Sequence, residues 1–365
     1  MDGEFKNLLQ VWILTTTCLT YCYYIPSKIP SGTSRLLSLL PIFYLLTILP
    51  LKLHTIHLCV FTAFLLVWLT NFKLLLFAFD QGPLSPPPSK LSHFISIACL
   101  PIKLKTNNTN PSRKKMQKPL QKSFPIFSRS TLLAIKVVLF VVLLHAYKYK
   151  QYLHQKLIII ICMLYIYLLL ETVLAVCSAL AQAILGLELE RQFNEPYLST
   201  SLQDFWGRRW NLMVTSVLHS TVYDPVRRIS TRLIDDKWAA LPAVLATFAV
   251  SGVMHDIIYC YLTREPPTWE MTSFFVLHGT CLTMELAAKR ELTDGRWRLH
   301  PAVSCLLLLV FLLMSSLWLF SPPLLRGGVN EKMMWEVFSF ANLIKNEGTA
   351  LMKILHEKTI FVFSI

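Results

Sequence analysis

The chain has 365 residues, 54% of them apolar and 15% charged, which excludes an ordinary soluble domain, where about 25% of residues are charged. Its net charge of +14 comes with no basic fold motif, so nucleic acid is a poor explanation; in a membrane protein such an excess follows from lysine and arginine collecting in cytosolic loops beside anionic lipid. The nine cysteines lie mostly inside apolar runs and form no CxxC pair, pointing to buried free thiols and away from a disulfide framework or a zinc site.

Apolar runs recur at 7–25, 35–51, 55–79, 131–146, 157–187, 239–262, 271–288 and 303–320. About 20 apolar residues cross roughly 30 Å of hydrocarbon. The pattern therefore predicts an all-α, polytopic membrane protein with about eight transmembrane helices. The run 157–187 suffices for one tilted helix or two short ones. The first run, NLLQVWILTTTCLTYCYYI, lacks a basic flank and a small-residue cleavage site, so it is expected to be a retained helix and not a signal peptide. After Asp80 comes QGPLSPPPS (81–89), where Pro86 to Pro88 impose extended chain. An irregular basic loop is expected from there to about residue 130. Within it, KLKTNNTNPSRKKMQKPLQK (103–122) carries seven lysines or arginines and no acid, which places it in the cytosol. The sequon at Asn107 would go unused there. No internal repeat or second soluble domain is visible, so 1–365 reads as one membrane-embedded domain, with most of the catalytic region in 188–299. The tail MMWEVFSFANLIKNEG suits either an interfacial helix or a last packed one.

The polar groups inside this frame carry the chemistry. In SLQDFWGRRWN (201–211), Asp204 precedes Arg208 by four and Trp206 precedes Trp210 by four, spacings that suit one helix surface. Tryptophan beside arginine is typical of the membrane–water boundary. Asn211 then opens LMVTSVL, where an amide could reach a cavity and fix a substrate or an oxyanion. His219 and Asp224 match the HxxxxD box of soluble-type glycerolipid acyltransferases, but the partner motifs of that family are absent. His219 is thus a rival base ranked below His255.

The stretch SGVMHD (251–256) places two titratable groups in an apolar run. Translocon scales charge an aspartate about 2.5–3.5 kcal/mol at a helix centre, and such groups face a bundle interior or a water-filled cavity. His255 and Asp256 point about 100° apart on a helix, so each needs another partner. Gly252, one turn before Asp256, would let a neighbouring helix or a substrate approach closely. The bland alternative is a histidine that only hydrogen-bonds across helices. In SFFVLHGTCLTMELAAK, His278 and Glu285 are two turns apart on one face, and Glu285 has Lys289 at i+4 for an ordinary helix-end pair. Desaturase histidine boxes are missing apart from the fragment His54-Thr-Ile-His57. The palmitoyltransferase DHHC signature, Walker A, GxGxxG and GxSxG motifs are absent.

The blocks LERQFNEPYLSTSLQDFWGRRWNLMV, SGVMHD and YLTREPPTWEMTSFFVLHG, with NFKLLLFAFDQGPLS (71–85), closely resemble the plant wax ester synthases of the jojoba type, in the membrane-bound O-acyltransferase superfamily. The resemblance covers most of the chain. It implies a multi-pass endoplasmic reticulum enzyme that moves an acyl group from acyl-CoA to the hydroxyl of a lipid alcohol, with helices around a catalytic chamber. It maps the reactive histidine onto His255 and the upstream amide onto Asn211. Wax synthases commonly carry glutamate after the histidine; Asp256 is one methylene shorter. Asp256 is expected to orient the imidazole or polarise the cavity. Trp206, Arg208, Arg209, Trp210 and His278 are expected at the substrate, the arginines on CoA phosphates. No metal or cofactor is required, acyl-CoA being a substrate. A long-chain fatty alcohol is the favoured acceptor, ahead of diacylglycerol acetylated from acetyl-CoA and of a sterol. A lipid transporter with a relay of His255, Asp256 and His278 would carry repeats and broken helices, and the sequence has neither.

Overall fold

A computed structural model describes residues 2–101, 129–186, 190, 192–291, 299–343 and 345–346. These form helices and connecting loops, with no strand among the described residues. In chain order the helices are α1 (Asp2–Tyr24), α2 (Thr33–Ile48), α3 (Ile56–Ala78), α4 (Leu91–Cys99), α5 (Arg129–Tyr147) and α6 (Gln155–Leu185). They continue with α7 (202–209), α8 (212–230), α9 (Ala240–Thr263), α10 (Glu270–Glu291), α11 (Pro301–Arg326) and α12 (329–343).

Among the described residues, six segments are long and apolar enough to cross a membrane: Gly3–Lys28, Thr33–Lys52, Ile56–Ala78, Gln155–Ile184, Ala240–Thr263 and Pro301–Arg326. A count near eight adds α5 and α10. The apolar part of α5 is shorter, Ala134–Tyr147, and α10 ends in charge, with Glu285, Lys289, Arg290 and Glu291. The described part of the run 157–187 is one helix, α6, stopped by Gly186 in the left-handed conformation (φ 65°), the usual glycine device for ending a helix.

The loop expected between 81 and 130 holds a helix that its proline-rich start conceals. In α4, Phe94, Ile97, Ala98 and Cys99 are buried. The α3 residue Lys73, 1% exposed, donates from Nζ to the carbonyl oxygens of Ile97 (2.6 Å) and Leu100 (2.8 Å). A cation on the free carbonyls of a helix C-terminus is favourable, and it allows a lysine to sit inside the bundle. The basic segment 103–122 and its sequon lie outside the described residues. The tail resolves in favour of packing: α12 buries Met333 and Met334, while Trp335 stays exposed.

α9 and α10 form the tightest pair. A Cβ added to Gly252 would lie 2.7 Å from the Thr272 Cα, and one added to Gly279 would lie 2.8 Å from the Phe248 Cβ. Small residues let helix backbones close up where lipid supplies no hydrophobic drive between them. Gly252 thus admits a neighbouring helix, one of its two expected guests.

Candidate active site

The closely packed α9 and α10 form one side of a cavity of about 660 Å³. α3 and every helix from α6 to α12 contribute to its walls, and no lining residue is an aspartate, glutamate, lysine or arginine. That combination of size and apolar lining suits a small-molecule site with a few placed polar groups.

His255 is one of those groups. Its Nδ1 lies 2.7 Å from the Ser251 carbonyl oxygen. A carbonyl only accepts, so Nδ1 carries the proton and Nε2 keeps a lone pair. The ring is boxed by aromatic side chains: Phe275 at 4.3 Å between centroids, Trp68 at 5.3 Å edge-on and Phe320 at 6.0 Å. An imidazole with this tautomer, its Nε2 lone pair among apolar walls, has the chemistry to take a proton from a hydroxyl.

Asn211 also lines the cavity and is 7% exposed. It sits at φ 36°, ψ 65°, and its Oδ1 accepts from the Val214 N–H at 3.3 Å, capping α8. Asparagine tolerates this left-handed geometry better than most residues. With the oxygen engaged, the side-chain NH₂ is the group left to address a substrate; it has no hydrogen bond among the described residues. Trp206 and Trp210 stand on the same wall, 6.1 Å apart and edge-on.

The π-helical turn Phe205–Arg209 changes the expected charge pairing. Asp204 pairs with Arg209, Oδ2 to Nε at 2.7 Å, because five residues rather than four close a π turn. Arg209 also donates to the carbonyls of Asn194 and Glu195, so it braces the loop before α7. Arg208 is exposed. Neither arginine lines the cavity.

Asp256 and His278 likewise lie behind the wall rather than on it. Asp256 is 1% exposed. Its Oδ2 accepts from the backbone N–H of Thr272 (2.9 Å) and from the Thr272 hydroxyl, tying α9 to the first turn of α10. Its contacts are with Thr272, so it does not orient the imidazole by direct hydrogen bonding. His278 is fully buried. The Trp206 Nε1–H donates to its Nδ1 (3.2 Å), so its Nε2–H donates to the Ser315 hydroxyl (2.9 Å), which passes its own proton to the Phe311 carbonyl (2.7 Å). His278 holds Trp206 in place. Glu285 behaves as the bland reading has it: Oε1 pairs with Lys289 and Oε2 accepts from the Leu202 N–H (2.9 Å).

His219 and Asp224 do meet, Nδ1 to Oδ2 at 3.2 Å, but both are about two-fifths exposed. His219 lines the cavity, stacked on Tyr223 at 4.5 Å. At another part of the wall, His57 bridges Glu336 (2.7 Å) and the Tyr165 hydroxyl (3.0 Å). Sequence reading singles out neither this linkage nor Trp68. Trp68 stands in the uniformly apolar FLLVWLT, where no polar neighbour flags it.

The model of the Membrane bound O-acyl transferase family matches residues 189–277, which span α7, α8, α9 and the start of α10. Over 345 residues the chain is 46% identical to the "Probable long-chain-alcohol O-fatty-acyltransferase 1" of Arabidopsis thaliana, covering 94% of this chain and 98% of the relative. It is 45% identical over 353 residues to the "Probable long-chain-alcohol O-fatty-acyltransferase 3" of the same plant, 96% of this chain and 99% of the relative. It is 44% identical over 337 residues to the "Long-chain-alcohol O-fatty-acyltransferase" of Simmondsia chinensis, 92% of this chain and 94% of the relative.

Proposed function

The chain belongs to the plant long-chain-alcohol O-fatty-acyltransferases of the membrane bound O-acyl transferase family, and we propose that it esterifies a long-chain fatty alcohol with the acyl group of an acyl-CoA, giving a wax ester. The observation that carries this reading is His255, its Nδ1 proton engaged by Ser251 and its ring on an uncharged cavity wall. Such a cavity accepts two hydrocarbon chains at little desolvation cost, and both substrates bring them.

The chemistry then follows. The alcohol oxygen attacks the thioester carbonyl carbon while its proton passes to His255 Nε2. The carbonyl π pair moves onto oxygen, and the Asn211 NH₂ is one donor placed to meet it. Collapse expels the CoA thiolate, which takes the proton back from the imidazolium, leaving ester, CoA thiol and neutral histidine. Asp256 acts through position, holding α10, and with it Phe275, against His255. Trp206 and Trp210 shape the acyl or alcohol channel, with His278 fixing Trp206. Arg208, exposed and unpaired in the described contacts, is the arginine available to CoA phosphate, while Arg209 serves the loop. The protein is multi-pass, and its membrane is that of the endoplasmic reticulum, where acyl-CoA and lipid alcohols meet.

The test is expression in yeast lacking its neutral-lipid acyltransferases, with a fatty alcohol supplied, followed by lipid analysis. Wax ester appearing with this chain, and vanishing with His255→Ala, is the expected result. Acetylated triacylglycerol or steryl ester in its place would assign a different acceptor. No acyl-CoA consumption at all would remove the enzymatic reading.

A further inference from the structure

Each of the three aromatic rings that box His255 fills space, but only one carries a hydrogen-bond donor. Phe275 and Phe320 have no polar atom. Trp68 has the indole Nε1–H, a donor that can never accept. Trp68 is 3% exposed and lines the cavity, and its ring meets His255 edge-on at 5.3 Å and 79°. Its Nε1 is buried with no acceptor among the described residues. Buried tryptophan N–H groups ordinarily find a partner, and an orphan of this kind needs a physical reason. The segment that holds it is the π-helical stretch Phe64–Thr70 inside α3. Single π turns cost regular hydrogen bonding and collect at functional sites. Trp206, another indole on this cavity, donates to His278; the Ser321 hydroxyl and the Asn330 Oδ1 on the same wall also have no partner among the described residues, but neither belongs to a ring packed on His255.

We propose that the Trp68 Nε1–H is a catalytic donor to the reacting acyl group. It donates to the thioester carbonyl oxygen on binding and to the oxyanion during attack, as a second donor to the oxygen that the Asn211 amide meets. The inference rests on His255 being the general base. The step balances: the alcohol proton goes to His255, the π pair to the oxygen that Trp68 meets, and the C–S pair leaves with sulfur and recovers the proton. Because the negative charge exists only in the transition state, the donor counts there more than in the ground state.

The experiment compares full-length wild type, Trp68→Phe and His255→Ala in microsomes with palmitoyl-CoA and hexadecanol. Phenylalanine keeps an aromatic ring and deletes the donor. The expected kcat of Trp68→Phe is lower by about 10²–10³, with KM for both substrates within about threefold. A second measurement uses two unreactive inhibitors, a ketone analogue of palmitoyl-CoA and the corresponding thioether without the carbonyl. The ratio of their inhibition constants is internal to each variant, so it is independent of how much protein folds. Loss of the donor is expected to weaken the ketone relative to the thioether by about fivefold, the worth of one neutral hydrogen bond. An unchanged ratio, or a Trp68→Phe kcat within about threefold of wild type while His255→Ala is dead, overturns the role of Trp68. Full activity of His255→Ala instead overturns the general-base reading on which the inference stands.

Discussion

At the scale of single residues, the site separates groups that face the cavity from groups that hold them. His255 presents Nε2 because Ser251 takes Nδ1, so His255→Ala is expected to lower kcat by at least about 10²–10⁴, the range of general acid–base catalysis. Protein yield should be unchanged, since the ring's other neighbours are apolar; wax-ester synthesis in normalised microsomes is the measurement. Asn211 does two things at once, capping α8 and offering its amide. Glycine at a cap costs only a few tenths of a kcal/mol relative to asparagine, and it adopts φ 36° without strain. Asn211→Gly should therefore leave thermal stability in detergent almost untouched while kcat falls. If activity survives, the amide is only a cap. Asp256 gives the opposite pair. Asp256→Asn keeps an oxygen for the Thr272 N–H and should retain most activity. Asp256→Ala leaves that N–H and hydroxyl without an acceptor, at about 1–3 kcal/mol, and should be lost as folded protein first. A catalytically dead but stable Asp256→Asn would return Asp256 to the chemistry.

Among the elements, the α9–α10 pair carries the site, and its seam can be tested at one atom. An alanine Cβ at Gly252 would stand 2.7 Å from the Thr272 Cα and 3.2 Å from its carbonyl oxygen. Both are backbone, which cannot swing aside as a side chain would, so Gly252→Ala should cost about 1–3 kcal/mol through overpacking. Gly3→Ala is the control, with nothing within 4 Å of the added Cβ. Equal melting temperatures for the two variants would contradict the packing. The same seam marks what the sequence could express. Length and apolarity expose helices that face lipid, so the expected runs reappear as α1, α2, α3, α6, α9 and α11. His255, Asp256 and Asn211 stand out because polar groups in apolar runs are costly. Hydropathy has no register for pairing, however. It assigns Asp204 to Arg208, whereas a π turn delivers Arg209. It leaves α4 inside a loop, because the lysine that completes that helix is in α3. Trp68 gives no signal in FLLVWLT, since its meaning comes from a histidine 187 positions later in the chain.

For the molecule as a whole, the question is what closes the bundle around an uncharged cavity, and one carboxylate contributes more than its size suggests. Glu336 lies on α12, outside the six spanning segments, with its side chain 10% exposed. Its oxygens accept from the Ile56 N–H (2.6 Å), the His57 N–H (3.1 Å) and the His57 Nδ1–H (2.7 Å). It therefore caps the start of α3 where the helix dipole favours an anion. The ring it fixes then accepts from the Tyr165 hydroxyl of α6, so three helices distant in sequence meet at one group. Burial alone would push the Glu336 carboxyl up. The hydrogen bonds from the His57 ring and the two backbone N–H groups outweigh that and hold it below its ordinary value. A depressed carboxyl adds stability that is fully present above the unfolded value of about 4.3 and is lost as pH falls through the lower folded value. Purified protein should accordingly lose stability on acidification below about pH 4.3, and Glu336→Ala should flatten that part of the curve. At neutral pH the variant leaves buried N–H groups unpartnered, at about 1–3 kcal/mol, and loosens α12 from the wall that Asn330 and Met333 form. Thermal unfolding in detergent across pH 3.5–7 measures both effects. A variant curve parallel to wild type through the acid range would mean that α12 is held by its buried methionines alone.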